Sequence, residues 1–265
     1  MGMATTERLP SFTAVDIDTY LPYLVRDELY DKEKPYGADF PVDHFKDSKL
    51  SNHEFEKFPM VIRDAQPVRH SFNLDTNGFC FLRADTSITP DLASNAQTPA
   101  LTKYLQEIEK LLYHKFPEYA RIEVMDFQVR KRAEGFPTAV GTRVEYEQPA
   151  AMPHTDFSVE GAFMRMCEAF PGQEKHYESK SFDLINVWRV LIGPNDDWPL
   201  AVCDFQSVDI KRDVLRNDCL HQTRVGENWL LMGHESHRWF YLSHQQPNDL
   251  IVFRNTDSEG MRASK

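Results

Sequence analysis

The chain has 265 residues, of which 41% are hydrophobic and 27% charged, and 30 Lys and Arg stand against 41 Asp and Glu for a formal charge of −11. That length suits one or two domains and buries enough surface to fold without disulfides or a structural metal. The composition excludes collagen-like, low-complexity and disordered classes. No 18-residue apolar run marks a membrane span, and the acidic balance lacks the basic footprint of a nucleic-acid binder.

The N-terminus, Met1 to Arg8, has no apolar core of a secretory signal. Cys80, Cys167, Cys203 and Cys219 form no CxxC pair, which argues against a zinc knuckle or a thioredoxin-like motif. They read as free thiols in a reduced, cytoplasmic protein.

Residues 1–60 are rich in Pro, Asp, Lys and Tyr with weak periodicity, and read as an arm wrapping a core over 61–265 in a single domain. Tyr20-Leu21-Pro22-Tyr23-Leu24 and Asp31-Lys32-Glu33-Lys34-Pro35 carry that reading, and the arm makes a homodimer plausible. Ser71-Phe72-Asn73-Leu74, the Asn77-Gly78 turn and Phe79-Cys80-Phe81-Leu82 predict a hairpin. Thr98 is a candidate N-cap and Pro99 the first helical residue. Leu101, Tyr104, Leu105, Ile108, Leu111 and Leu112 follow at helical spacing, and Pro117 stops the run. Ile122 to Val129 alternates as a half-buried strand.

Residues 134–150, with Gly135, Pro137, Gly141 and Pro149, read as a loop. His154-Thr155-Asp156 then leads into a helix whose apolar side is Val159, Phe163, Met166 and Phe170, ended by Pro171-Gly172. Short strands are predicted at Phe182–Leu191, Leu200–Val208, Cys219–Val225, Trp229–Met232, Trp239–Ser243 and Leu250–Phe253. Strands of that length at such intervals suggest a sandwich or barrel. The expectation is a mainly β jelly-roll core with helices packed outside it.

Three clusters can carry chemistry. In a strand, residues i and i+2 share a face, so His154 and Asp156 can converge on one metal. Iron(II) oxygenases bind their metal through two His and one carboxylate with open positions left over. An isolated HxD is unspecific and is equally compatible with a structural pair. In Asn186-Val187-Trp188-Arg189-Val190-Leu191, alternation puts Asn186 and Trp188 on one face and Arg189 on the other. An arginine among apolar neighbours is either paired or functional, because a buried unpaired charge is costly. Arg189 can clamp a carboxylate bidentately or close a structural salt bridge. In His234-Glu235-Ser236-His237, the two imidazoles sit at i and i+3, which face opposite sides of a strand. Arg130-Lys131-Arg132 can meet a carboxylate or form a solvated face. No GxSxG, P-loop, GxGxxG or HExxH motif occurs.

Together these segments resemble a fungal family related to the gibberellin desaturase, with bacterial relatives in cephamycin pathways. The resemblance runs from Phe72 to Phe79. It continues through Glu145-Tyr146-Glu147-Gln148-Pro149 with His154-Thr155-Asp156, and then through Asn186 to Pro194 and Asp197 to Asp204. His237-Arg238-Trp239-Phe240-Tyr241 and Pro247 to Phe253 extend it to about residues 60–257. It implies a double-stranded β-helix, or cupin-like jelly roll, using Fe(II), 2-oxoglutarate and O2 on a small natural product or amino-acid-derived substrate. The expected reactions are hydroxylation, desaturation or oxidative ring closure such as aziridine formation.

By the same resemblance His154 and Asp156 are iron ligands. Arg189, then Arg165, are the candidate cosubstrate contacts, and Tyr146 and Trp188 the candidate substrate contacts. The family pattern continues past Asp257-Ser258 to a Pro-His element with the distal iron-binding His and then a strand with an arginine, neither of which this sequence contains. A truncated form, replacement by His234, His237 or His244, and a protein without normal iron binding are the three explanations, the first being preferred. The alternatives to an oxygenase are a zinc-type hydrolase on the same barrel and a non-catalytic binding protein.

Overall fold

The computed structural model describes residues 14–42, 44, 46–136 and 146–262. The readings that fall on Met1–Arg8, Pro137, Gly141 and Glu145 lie outside the described residues. In chain order the strands are β1 (Ile17–Leu24), β2 (Tyr36–Ala38), β3 (Phe55–Asp64), β4 (Phe79–Arg83), β5 (His154–Thr155), β6 (Asp183–Arg189), β7 (Ala201–Cys203), β8 (Val214–Leu220), β9 (Val225–Leu231), β10 (Trp239–Tyr241) and β11 (Asp249–Asp257). The helices are α1 (Leu74–Asn77), α2 (Pro99–Lys115), α3 (Val159–Ala169), α4 (Glu174–Glu178) and α5 (Ile210–Asp213). The result is a mainly β chain with few helices.

The strands form three sheets, ordered β1-β3-β10-β7, β4-β11-β6 and β2-β8-β9-β5. Two pairings are parallel, β10 with β3 and β2 with β8, so the first and third sheets are mixed while the second is antiparallel. The central strand of the second sheet, β11, is buried on both faces. Alternation along it sorts the core into two. Leu250 and Val252 join Cys80, Leu82, Ile108 and Phe116 under α2. Ile251 joins Phe79, Phe81, Val202 and Leu242 on the opposite face, against the first sheet. Full burial of each such side chain contributes about 1.5–3 kcal/mol. The Cys80 thiol belongs to the first cluster, and burial pushes it up to about 11. It is therefore protonated and inert at neutral pH, in line with a filler role.

Helix α2 starts where its caps place it: Thr98 Oγ1 accepts from Leu101 N at 3.1 Å and Pro99 opens the first turn. Helix α3 is capped by Ser158, whose Oγ accepts from Gly161 N at 3.0 Å.

Other local expectations are overturned. The predicted hairpin around Asn77-Gly78 is absent. Asn73 caps α1 instead, accepting from Thr76 N at 2.9 Å, and Gly78 ends it at φ +78°. Phe79–Arg83 pairs with β11 rather than with residues 71–74. Ile122–Val129 forms no strand. Its burial alternates from Met125 onward, but Ile122 N donates to the Tyr113 hydroxyl and Val129 N to the Asn95 side chain, so no ladder closes.

The strand expected at Cys219–Val225 straddles a reversal between β8 and β9, closed by His221 N donating to Arg224 O. Leu200–Val208 is cut to three residues because Asp204 caps a 3-10 turn. Tyr20–Leu24, read as a wrapping arm, is most of β1, paired along eight residues with β3 and ending in fully buried Tyr23 and Leu24.

A buried polar chain ties β1 to β10. Trp239 Nε1 donates to the Tyr23 hydroxyl at 2.7 Å, and that hydroxyl lies 3.0 Å from His237 Nδ1. His237 Nε2 is 3.2 Å from Asp213 Oδ2, and Asp213 also takes Arg26 and Arg212. The chain closes if Tyr23 donates to Nδ1 and the imidazole donates to Asp213, which requires neutral His237. Burial, together with the positive Arg212, holds the His237 pKa below its ordinary value despite Asp213. Although burial opposes it, Arg212, Asp209 N, His237 and Arg26 hold the Asp213 carboxyl far below the usual range.

This packing sets two expectations for stability. A Cβ on Gly161 would overlap the Glu227 carbonyl oxygen, a backbone atom that cannot swing aside. Gly161→Ala should therefore push α3 off β9 and cost about 1–3 kcal/mol in a chemical melt. His237 is a base whose pKa is lower folded than unfolded, so stability drains as pH falls through about 6.5. His237→Gln should flatten the stability–pH curve just below 6.5 relative to the parent. His237→Ala should cost about 2–4 kcal/mol at neutral pH by stranding Tyr23 and Asp213.

Candidate metal centre

The site is built where β5 meets the other two strands that face it. His154 and Thr155 pair with Leu230 and Trp229 of β9, and Leu231 N donates to Pro153 O at 3.1 Å. After Thr155, which is 2% exposed, the ladder with β9 ends and the chain enters α3 through Ser158. Ser158 N donates to Glu227 O at 3.0 Å, and the Ser158 hydroxyl bonds the Glu227 carboxylate, which also takes Lys34. Both ends of the His154–Asp156 segment are thus pinned to β9.

His154 Nε2 and Asp156 Oδ1 face each other at 3.4 Å. The remaining polar atoms of the pair are engaged. His154 Nδ1 donates to Met152 O at 2.8 Å, so Nε2 is the nitrogen turned to Asp156 and the one left for a metal to take in place of a proton. Asn186 Nδ2 donates to Asp156 Oδ2 at 2.6 Å, and Asp156 N donates to Asn255 Oδ1 at 3.0 Å. Burial alone would neutralise both groups. The hydrogen bond and charge of Asp156 nevertheless raise His154, and His154 and Asn186 lower Asp156. Arg130 adds positive charge that lowers both.

One imidazole nitrogen and one carboxylate oxygen, each with its other atom occupied, suit a divalent first-row metal. Two neighbouring ligands about 2.1 Å from one octahedral ion stand about 3 Å apart, so the observed separation accommodates such an ion with little movement. Among the described residues no group of three His, Cys, Asp or Glu side chains is arranged to hold a metal. The histidines considered as replacements have other partners: His234 with Ser236, His237 with Tyr23 and Asp213, and His244 with Asp196.

The other predicted residues divide. Asn186 and Trp188 share the inner face of β6, opposite Phe253 and Ile251 of β11, so Trp188 lies on the face that presents Asn186 to Asp156. Arg189 does not join them. It lies opposite Leu250 on the α2 side, stacked 5.7 Å from the Tyr104 ring centroid and bonded to the Thr86 hydroxyl. Arg165 pairs with Asp126 at 3.2 Å and Glu168 at 3.4 Å. Tyr146 stands 6.0 Å from Lys131 Nζ, next to the Arg130–Glu147 bridge.

Sequence reasoning missed Asn255 altogether and gave Asn186 no role. The signal for Asn186 was present, since it shares a face with Trp188 in a short strand. Asn255 carried none, because its place depends on how β11 pairs.

Comparison with known proteins agrees with the early resemblance. A family model described as "YDMC: Oxidoreductase/YMDC permease-like domain" matches residues 21–265. The "Fe(II)/2-oxoglutarate-dependent dioxygenase nvfI" of Aspergillus novofumigatus is 26% identical over 226 residues, covering 79% of this chain and 73% of that protein. The "Hydroxylase/desaturase CTB9" of Cercospora beticola is 26% identical over 231 residues, covering 79% and 68%. Among solved structures, the "iron and alpha-ketoglutarate-dependent endoperoxidase NvfI" superposes with a TM-score of 0.62 at 22% identity, over 95% of this chain and 88% of that one. The chain therefore has that fold and belongs to the oxidoreductase/YMDC permease-like domain family, with fungal Fe(II)/2-oxoglutarate-dependent oxygenases among its homologues.

Proposed function

We propose that the chain is a non-haem Fe(II)- and 2-oxoglutarate-dependent oxygenase acting on a small molecule, with His154 and Asp156 as two of the metal's ligands. One observation carries the reading: His154 Nε2 and Asp156 Oδ1 are left facing each other at 3.4 Å while Met152 O and Asn186 occupy the other two atoms of the pair. A structural ion pair has no need of a fixed tautomer and an anchored second oxygen; a ligand pair does. The homologues are enzymes of that class, and the three sheets, two mixed and one antiparallel, fit a double-stranded β-helix.

Bound at this pair, Fe(II) supplies activation of O2 coupled to decarboxylation of 2-oxoglutarate to succinate and CO2, with oxidation of a substrate C–H bond. The protein's part is positional. Met152 O holds the imidazole in the ligating tautomer, and Asn186 keeps one carboxylate oxygen turned away so that the other faces His154. Trp188, with Ile251 and Phe253 on the same face of the sheet, supplies an apolar wall that keeps water from the reacting carbon. Hydroxylation, desaturation and ring closure differ in where that wall puts the substrate, since displacements of about 1 Å change the outcome. A non-catalytic binding protein is the second reading, favoured by the lack of a third metal-binding side chain among the described residues.

The test is anaerobic addition of Fe(II) and then 2-oxoglutarate, followed in the visible spectrum. A weak band that needs both components is expected. His154→Ala and Asp156→Ala should each abolish it and cut substrate-dependent succinate formation by more than the roughly 10–100-fold that outer partners cost. Turnover retained in both variants, or activity without O2, overturns the proposal. A folded parent protein that gives no band supports the non-catalytic reading.

A further inference from the structure

Strand β11 pairs with β6 in register from Leu250–Arg189 to Arg254–Ile185, and then slips so that Thr256 stands opposite Leu184. Asn255 is the extra residue of that bulge and has no partner on β6. A bulge bends its strand and re-aims one side chain. Here the extra residue, on the face of Ile251 and Phe253 by alternation, carries an amide, 1% exposed, whose Oδ1 accepts from the backbone N–H of Asp156 at 3.0 Å. Its Nδ2 has no partner among the described residues. A buried donor left unpaired costs about 1–3 kcal/mol, which an apolar side chain of similar size would avoid. The position therefore holds a polar group against the interest of packing. The one hydrogen bond that group makes among the described residues is with Asp156, 99 residues away in the chain.

Asn186 reaches the same residue from β6, through the carboxylate rather than the backbone. The two amides thus grip Asp156 at both ends, and the rotation that remains is the one that turns Oδ1 toward His154. We propose that Asn255 is a positioning residue for Asp156, and that the β11 bulge aims it there so that the carboxylate is held ready for a divalent metal. This rests on the reading of His154 and Asp156 as the metal pair.

The experiment measures Mn(II) affinity of the purified full chain by calorimetry, alongside thermal melts of the metal-free protein. Asn255→Leu keeps the volume, removes the unpaired donor and loses the Asp156 contact; Asn255→Ala serves if the larger side chain does not fit. The expected result is an Mn(II) dissociation constant raised about 10–100-fold, with a metal-free melting temperature close to that of the parent for Asn255→Leu, because the unpaired donor it removes is offset by the Asp156 N–H it leaves without an acceptor. In the Asp156→Ala background the same substitution should change Mn(II) affinity no further, because its effect runs through that carboxylate. Unchanged affinity in both Asn255 variants overturns the proposal, as does an equal loss with and without Asp156. If Asp156→Ala and His154→Ala themselves bind Mn(II) like the parent, the metal-pair reading fails, and the proposal with it.

Discussion

The structure depends on the burial of β11 from both sides. A strand enclosed on both faces has to be apolar along its length or find a partner for every polar group it carries. Leu250 to Phe253 meet the first condition, feeding two separate cores. Arg254 to Asp257 meet most of the second, with Arg254 Nε and Asn255 Nδ2 the unpaired atoms among the described residues of this stretch. Arg254, 1% exposed, donates to Leu74 O and to the carboxylates of Asp183 and Asp75. Asn255 takes the Asp156 amide, and Asp257 accepts from Met261 N and Arg262. The polar half of the strand is therefore what joins α1, β6, the His154–Asp156 segment and the residues following β11. The site inherits its rigidity from a stretch that packing alone would have made hydrophobic.

A second constraint works from the other side of the site. Helix α3 lies directly on β9, with Gly161 against the Glu227 carbonyl. Ser158 serves both elements, capping α3 while bonding Glu227. Because α3 begins shortly after Asp156, fixing its cap fixes the exit of the His154–Asp156 segment just as the β5–β9 pairing fixes its entry. A two-residue strand is too short to be held by its own ladder. His154 and Asp156 keep their relative placement through these flanking ties rather than through β structure of their own.

What the sequence reveals divides by the range of the interaction responsible. Helices α2 and α3 were legible because Thr98 with Pro99, and the apolar stripe of Val159, Phe163, Met166 and Phe170, act within a few residues. The faces of β6 were legible for the same reason. Asn73-Leu74-Asp75-Thr76-Asn77-Gly78 misled because an Asn that can cap a helical turn and an Asn-Gly that can close a hairpin are written alike, and the pairing of Phe79–Arg83 with the distant β11 decides between them. The reversal at His221–Arg224 was missed because it contains neither Gly nor Pro. His154 and Asp156 were singled out from a three-residue motif together with the surrounding resemblance. Their holders were not, since Asn186 and Asn255 are named only by tertiary structure.

The misplaced arginine is instructive on the same ground. Arg189 stood out because its neighbours Val187 and Leu191 are apolar, and burial without a partner would be costly. The structure resolves that cost locally, on the Tyr104 ring and the Thr86 hydroxyl, on the face of β6 that looks away from Asp156. The charge that does bear on the site is that of Arg130, in a basic run that composition alone presents as a solvated face. Its guanidinium is held by Gln128, Glu147 and the Gln148 carbonyl, and it lowers the pKa of both His154 and Asp156. In a chain of net charge −11, a cation whose charge reaches His154 and Asp156 counters the general field at that pair. An arginine's sequence neighbours thus report what its stem packs against, whereas its electrostatic role is set by whatever the fold brings to its head group.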